Sequence, residues 1–312
     1  MTPAVVGVDL GGTFLKTAVL HDGDRVLERG SVPSDATSGA DAALERLLEV
    51  CADRAARHRA AAVGIGLPGA VDGERGMLAG PTPHLIGGET LAVRDRAAER
   101  LGLPVAVDND ANCAARAEAL LGAARGARMA LVVTVGTGIG CGIVHEGRVL
   151  AGAHGGAGEI GHWPIGSGEL SCRCGVPCCA EPEMSAEGLA RLCTARNLPW
   201  RDAESLFAAA RDDERARELV EGLAIRLGVT LAIAVQLVDA DRVVLGGGLT
   251  LAPGFPLDEV RSAAAGHLQL WRRAVGLDIV PAALGAHAGA IGAALLAREA
   301  AEQDAAFRVS RS

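Results

Sequence analysis

The amino-terminal stretch AVVGVDL, residues 4 to 10, is apolar apart from Gly7 and Asp9, which predicts a buried strand. The GGT that follows is a tight turn into a second strand, LKTAVL, so the chain opens strand-turn-strand rather than strand-turn-helix. Between residues 41 and 57, Leu44, Leu47, Leu48 and Cys51 fall on one face at helical spacing, after which AVGIGLPG (62 to 69) returns as strand and breaker. PVAVDND runs directly into ANCAARAEALLG, where Gly122 stops a helix, so Asp110 stands at a strand end and a helix start. Residues 129 to 152 read as strand, glycine turn, strand, hairpin turn and strand, repeating the amino-terminal layout. Helical stretches follow a cysteine-rich segment, the longest being 215 to 238; DRVVLGGGLT (241 to 250) is a strand and glycine turn, and 287 to 301 is an amphipathic helix. The alternation predicts an α/β class, and the repeated layout predicts two related lobes with a cleft between them.

Composition narrows the function. At 312 residues the chain is long for a single core. Its formal charge of −8, with no basic run or stripe, argues against nucleic acid as a partner. The amino terminus lacks a basic segment before its apolar run, and the longest apolar stretch, around Leu223 to Val238, is broken by Arg226 and Gln236. The expectation is a cytoplasmic protein with no membrane partner. Four of the eight cysteines crowd into residues 172 to 179, with His162 ten residues ahead of the first, and in a reducing compartment such a cluster favours a metal over disulfides. A carboxylate flanks each end, Glu159 and Glu181. The remaining cysteines, Cys51, Cys113, Cys141 and Cys193, are scattered and suit small core positions. Among 30 basic residues the only lysine is Lys16, close to the first glycine turn, where it suits a phosphate neighbour or a solvated strand residue equally.

Three glycine turns each follow an apolar strand: DLGGT (9 to 13), GTGIGCG (136 to 142) and GGG (246 to 248). Glycine lets backbone N–H groups close on an anion. Asp9 adds a carboxylate fit for hydrated Mg²⁺, and Thr13 and Thr137 add hydroxyls. Singly, each turn would serve as a plain hairpin. The dinucleotide fingerprint fits poorly, because GTGIGCG leads into a strand, and no GxxxxGK[ST] loop occurs. A nucleotide site assembled from several turns is the better reading.

VDLGGT, GIGLPGAVD (64 to 72), DNDANCAARAE (108 to 118), VTVGTGIGCGIV, GAGEIGH (156 to 162), CRCGVPCCAE (172 to 181) and VVLGGGLT occur in one order over residues 5 to 295. In this the chain resembles the ROK family of sugar kinases and repressors. The resemblance implies a two-lobed actin-like, hexokinase-like (ribonuclease H-like) fold with an interlobe cleft. It implies a small lobe of residues 1–112, on which a carboxy-terminal helix near 287–303 packs back, and a large lobe of 113–286 carrying a zinc loop. It further implies ATP-dependent phosphorylation of a hexose 6-hydroxyl, as in a glucokinase, with Asp110 as general base and Gly69, His84, Asn109, Asp110, Glu159, His162 and Glu181 around the sugar. Mg²⁺ and nucleotide would fall to Asp9, Gly11, Gly12, Thr13, Lys16, Gly136, Thr137, Gly138, Gly247 and Gly248. His162, Cys172, Cys174 and Cys179 match the family's zinc spacing, a closed and therefore structural site. A homodimer is the family's usual assembly.

Two departures matter. Cys178 stands where the family has glycine, which leaves the third thiolate between Cys178 and Cys179, with spacing favouring Cys179. In GPTPHLIGGETL (80 to 91) His84 occupies the place of an expected asparagine and the usual tryptophan is missing. One changed polar residue in a sugar pocket redirects specificity. An amino-sugar 6-kinase, acting on kanosamine, glucosamine, N-acetylglucosamine or N-acetylmannosamine, is therefore the alternative. From another class, the family's repressors carry a winged helix-turn-helix before the first strand, and here that strand begins by about Ala4. A non-catalytic sugar sensor fits less well, because Asp9, Thr13, Asp110 and Thr137 are all present.

Overall fold

A computed structural model describes residues 3–22, 24–35, 39–82 and 85–310; His84 lies outside the described residues. The chain divides into two compact units, one of Met1–Gly122, Arg148–Ala157 and His287–Ser312, the other of Ala123–Gly147 and Gly158–Ala286.

The first unit begins with strands β1 (Val5–Leu10), β2 (Phe14–His21) and β3 (Arg25–Pro33), helix α1 (Ala40–His58) and strand β4 (Ala62–Leu67). Short strands β5 (Val71–Asp72) and β6 (Met77–Leu78), helix α2 (Val93–Leu101), strand β7 (Val105–Asn109) and helix α3 (Asp110–Leu121) follow. The sheet order is β3-β2-β1-β4-β7, with β2 antiparallel to β1 and β3, and β4 and β7 parallel to β1. Strand β3 has no counterpart in the hydrophobic pattern. RVLERGSVP is half charged or small, alternates between exposed and half-buried, and is fixed as an edge strand by its ladder to β2. Helix α1 buries the predicted Leu44, Leu47, Leu48 and Cys51.

The second unit holds β8 (Met129–Val135) and β9 (Ile139–His145), after which β10 (Arg148–Val149) returns the chain to the first unit. Beyond the cysteine segment come α4 (Ala186–Ala195), α5 (Ala203–Ala209), α6 (Glu214–Val238), β11 (Arg242–Gly246), α7 (Leu257–Gly266), α8 (Leu270–Val275) and β12 (Asp278–Pro281). Its strands run β9-β8-β11-β12, with β8, β11 and β12 parallel. Leu131, Val133 and Val135 of β8 share a core with Leu223, Leu227 and Leu231 of α6.

Helix α9 (Ala288–Ser310) closes the first unit. Three glycines set how closely it packs. A Cβ at Gly7 would stand 2.0 Å from the Ala290 carbonyl oxygen, one at Gly64 1.8 Å from that of Ala293, and one at Gly292 1.6 Å from that of Cys113. Helix α9 thus lies directly on β1, β4 and α3. This packing carries α3 into the first unit, which extends to Gly122 where the sequence reading placed a boundary at 112. No described helix is long and apolar enough to cross a membrane.

Candidate functional site

The carboxyl ends of parallel strands are where open α/β sheets bind ligands, and in the first unit β1 and β7 deliver Asp9 and Asp110 there. A Cβ at Gly66 would stand 3.5 Å from Asp110 Cα and 3.6 Å from Asp9 Oδ1, so the missing side chain keeps the ground beside both carboxylates open. Gly289, in the first turn of α9, lies so close that its Cβ would sit 2.5 Å from Asp9 Oδ2. The helix start also presents positive dipole to that carboxylate. Lys16 is the register partner of Asp9 across β1 and β2. Burial pushes the Asp9 carboxyl up to about 6, and the Lys16 charge pulls against it. A group held that high gains from a cation, which suits Mg²⁺. Next to it, Gly11 to Thr13 form an open turn pinned by the Gly11 N–H to Phe14 carbonyl bond of 3.0 Å.

Asp110 is not the cap of its helix. Asn109 is: its Oδ1 accepts from the Asn112 N–H at 3.0 Å, while its Nδ2 donates to the Gly69 carbonyl at 2.9 Å and to Asp110 Oδ1 at 3.1 Å. Both Asn109 amide hydrogens are thereby used, which leaves it a positioner of Gly69 and Asp110 with one oxygen lone pair to offer. Asp110 Oδ1 also accepts from the Ala111 N–H at 2.8 Å. Behind them Asp108 Oδ1 accepts from the Asn109 N–H and the Asn112 amide, and Asp108 Oδ2 lies 3.6 Å from Arg116. Sequence reasoning passed over Asp108. Its spacing of four to Asn112 and again to Arg116 was the available signal.

In the second unit, the turn after β8 and the turn after β11 touch. The Cβ position at Gly247, whose φ is 93°, would fall 2.4 Å from the Val135 carbonyl oxygen, and that at Gly136 3.8 Å from the Gly248 nitrogen. Gly136, Thr137, Gly138, Gly247 and Gly248 are therefore brought together. Glu181 joins them, because its Oε2 accepts from the Ile139 N–H at 2.9 Å.

His162, Cys172, Cys174 and Cys179 offer ligand atoms that all lie within 4.8 Å of one another. His162 Nδ1 is 3.3 Å from Cys179 Sγ and 3.7 Å from Cys172 Sγ, and the Cys174 and Cys179 sulfurs are 3.9 Å apart. Tetrahedral zinc with sulfur at about 2.3 Å requires edges of roughly 3.8 Å, so the donor set fits a closed structural zinc. Cys178 is exposed and outside the set, with the backbone at φ 53°. The imidazole nitrogen turned away from the thiols, Nε2, faces Glu159 Oε2 at 3.6 Å, and Cys172 Sγ lies 3.6 Å from Glu181 Oε1. Both flanking carboxylates thus lie beside members of this donor set, where the packing of the cluster bears on their orientation. The scattered Cys51, Cys113, Cys141 and Cys193 are buried, and burial pushes the Cys51 and Cys141 thiols up to about 12, which makes them inert.

The sequence model of the ROK family matches residues 5–300. The chain belongs to the ROK family. Among ROK relatives, the glucokinase of Halalkalibacterium halodurans is 32% identical over 94% of each chain. The N-acetylmannosamine kinase of Citrobacter koseri is 35% identical over 95% of this chain and 99% of its own. The ROK glucokinase of Streptomyces griseus, solved with glucose and AMPPNP, superposes with a TM-score of 0.83 at 30% identity, over 95% of this chain and 99% of that one. The ROK fold expected from the motifs is therefore the fold observed, two α/β units each built on its own sheet.

Proposed function

We propose that this ROK protein is an ATP- and Mg²⁺-dependent hexose kinase that phosphorylates the 6-hydroxyl, with glucose as its preferred acceptor and Asp110 as general base. The observation that carries the reading is the division of labour between Asn109 and Asp110. Asn109 caps α3, so the Asp110 carboxylate is held by the Ala111 N–H and the Asn109 amide without serving as the cap itself. A carboxylate so placed accepts the hydroxyl proton as the sugar oxygen bonds to the γ-phosphorus; the bond from that phosphorus to the β–γ bridging oxygen breaks, and ADP leaves. Asp9 would hold Mg²⁺, whose charge offsets that of the phosphates. The N–H groups of the turns at Gly11 to Thr13 and Gly136 to Gly138 would orient the nucleotide. Glu159, His162 and Glu181 would accept or donate hydrogen bonds at the sugar, their geometry set by the zinc cluster, with His162 using Nε2.

The similarity to an N-acetylmannosamine kinase favours a second reading, phosphorylation of an amino sugar at the 6-hydroxyl, with the loop around residue 84 as the selecting element. ADP release with Mg-ATP over glucose, mannose, glucosamine, kanosamine, N-acetylglucosamine and N-acetylmannosamine, compared as kcat/KM, separates the two. Polyphosphate tested in place of ATP identifies the donor. No ADP with any sugar, for metal-replete protein, would remove the kinase reading altogether.

A further inference from the structure

Arg116 of α3 is a charged side chain that the proposed chemistry leaves unused. Its side chain is 15% exposed, and its Nε is buried with no hydrogen-bond partner among the described residues. Its two Nη atoms serve carboxylates far apart in the chain: Nη1 donates to Glu299 Oε1 at 2.6 Å, and Nη2 lies 3.6 Å from Asp108 Oδ2. Glu299 belongs to α9, about two turns beyond Gly292, the glycine that seats α9 against Cys113 of α3. The close seating of the two helices is what brings Glu299 to Arg116. An ion pair that reaches water at one end adds little to stability, and an orphan buried donor subtracts from it. Stability therefore does not account for the arrangement.

Asp108 is where this arginine meets the site. Its Oδ1 accepts from the Asn109 N–H at 2.8 Å and from the Asn112 amide at 3.0 Å. Asn112 is buried, and its own N–H donates to Asn109 Oδ1. Asn109 gives its amide hydrogens to the Gly69 carbonyl and to Asp110 Oδ1. The bonds close a ring: Asp108 fixes Asn112 and the Asn109 backbone, these two fix the Asn109 side chain, and that side chain holds the Asp110 carboxylate. Carboxylates also converge here. Burial pushes the thiol of Cys113 well up, and the charges of Asp108, Asp9 and Asp110 push it further while Arg116 pulls against them. Arg116 thus supplies positive charge amid three acids.

We infer that Arg116 is a positioning residue for phosphoryl transfer: held by Glu299 of α9, it fixes Asp108, and through Asp108 and the two asparagines it sets the direction of the Asp110 carboxylate. This role rests on the reading of Asp110 as general base. A base acts only within hydrogen-bond reach of the hydroxyl it serves, and a displacement of about 1 Å costs about a hundredfold in rate. In this role Arg116 contacts no substrate, so its loss lowers turnover and leaves sugar binding in place. The carboxy-terminal helix thereby bears on the chemical step through one side chain, Glu299.

Kinetics of the full chain with Mg-ATP and its best sugar acceptor test this. Arg116→Met keeps an unbranched stem and removes the charge; kcat should fall about ten- to a hundredfold, with sugar affinity by calorimetry within about twofold of the parent. Arg116→Lys has a stem of similar size with a cation to face Asp108, and should recover most of the loss. Because Arg116 acts through Asp108, adding Arg116→Met to Asp108→Asn should cost little beyond Asp108→Asn alone. Parent-like turnover in Arg116→Met, no recovery in Arg116→Lys, or losses that multiply in the double variant would each overturn the assignment. Glu299→Ala changes a side chain that is 46% exposed, so folding is disturbed least, and it should lower kcat in the same sense. An unchanged kcat there would overturn the part given to α9. Asp110→Asn tells the two failures apart. If it is inactive while Arg116→Met is normal, only the positioning role falls; if it turns over normally, the base assignment itself falls.

Discussion

Glu183 reaches Arg226 of α6 with its Oε2 at 2.5 Å, while its Oε1 takes both the N–H and the hydroxyl of Ser167, at 2.5 and 2.8 Å. The Glu183 side chain is 7% exposed and that of Arg226 29%, so the carboxylate is nearly buried while the guanidinium still reaches water. The pair ties the cysteine segment to the longest helix of the second unit, and Arg226 adds a bond of 3.4 Å to the Ile165 carbonyl.

Glu183→Gln leaves the Arg226 charge unpaired, and because that side chain is 29% exposed it can turn to water, so the cost should be about 1 to 2 kcal/mol, below that of a fully buried pair. Glu183→Gln should therefore lower the melting temperature by several degrees. Because Glu159, His162 and Glu181 lie on or beside the braced segment, sugar KM should rise more than kcat falls. Thermal melts with glucose kinetics check both, and a double-mutant cycle with Arg226→Ala should return a coupling above about 1 kcal/mol.

Asp110→Asn keeps the side-chain shape and an oxygen for the Ala111 N–H, yet loses the proton acceptor. Turnover should fall by about 10² to 10⁴, the usual contribution of a general base, while glucose affinity measured by calorimetry changes little. Near-normal turnover would remove Asp110 from that role.

Asp9 gives a pH signature. Its folded value of about 6 lies above the ordinary 3.8, so between these the unfolded chain has already given up a proton that the folded chain keeps. Stability contributed at low pH is accordingly lost as pH rises toward and through 6, on the order of 1 kcal/mol once water reaching the partly exposed carboxylate is allowed for. Asp9→Asn should flatten this slope and raise the melting temperature at pH 8. Mg²⁺ should stabilise the parent more at pH 8 than at pH 5, and should lose that effect in the variant.

Cys178 and Cys179 should separate cleanly in metal content. Cys179→Ser removes a buried member of the donor set and should release zinc to a chromogenic chelator and lower the melting temperature. Cys178→Gly should keep one zinc per chain and gain several tenths of a kcal/mol, because glycine carries no Cβ penalty at φ 53°. Chelation of the parent should mimic Cys179→Ser.

Much of this was legible before any coordinates. Strands β1, β4, β7, β8 and β11 are apolar runs ended by glycine or acid, and α1 and α6 show helical spacing, so pattern alone locates them. The acidic residues at strand ends and the crowded cysteines announced themselves by spacing. What was not legible depended on partners distant in sequence. Strand β3 exists because β2 offers it a ladder, and Arg226 looked like a mere interruption of an apolar helix until Glu183, 43 positions earlier, supplied its charge partner. Gly66 and Gly289 had no local signature either, since what they contribute is room beside Asp9.

The glycines at 7, 64 and 292 make α9 the piece that completes a unit begun by β1. During synthesis the ribosome therefore releases nearly all of the second unit before the last helix of the first has been made. The first unit, although it contains the earliest residues, is the one that must wait. Its sheet emerges with the surface meant for α9 bare, and that bare surface is what a chaperone would meet on the nascent chain.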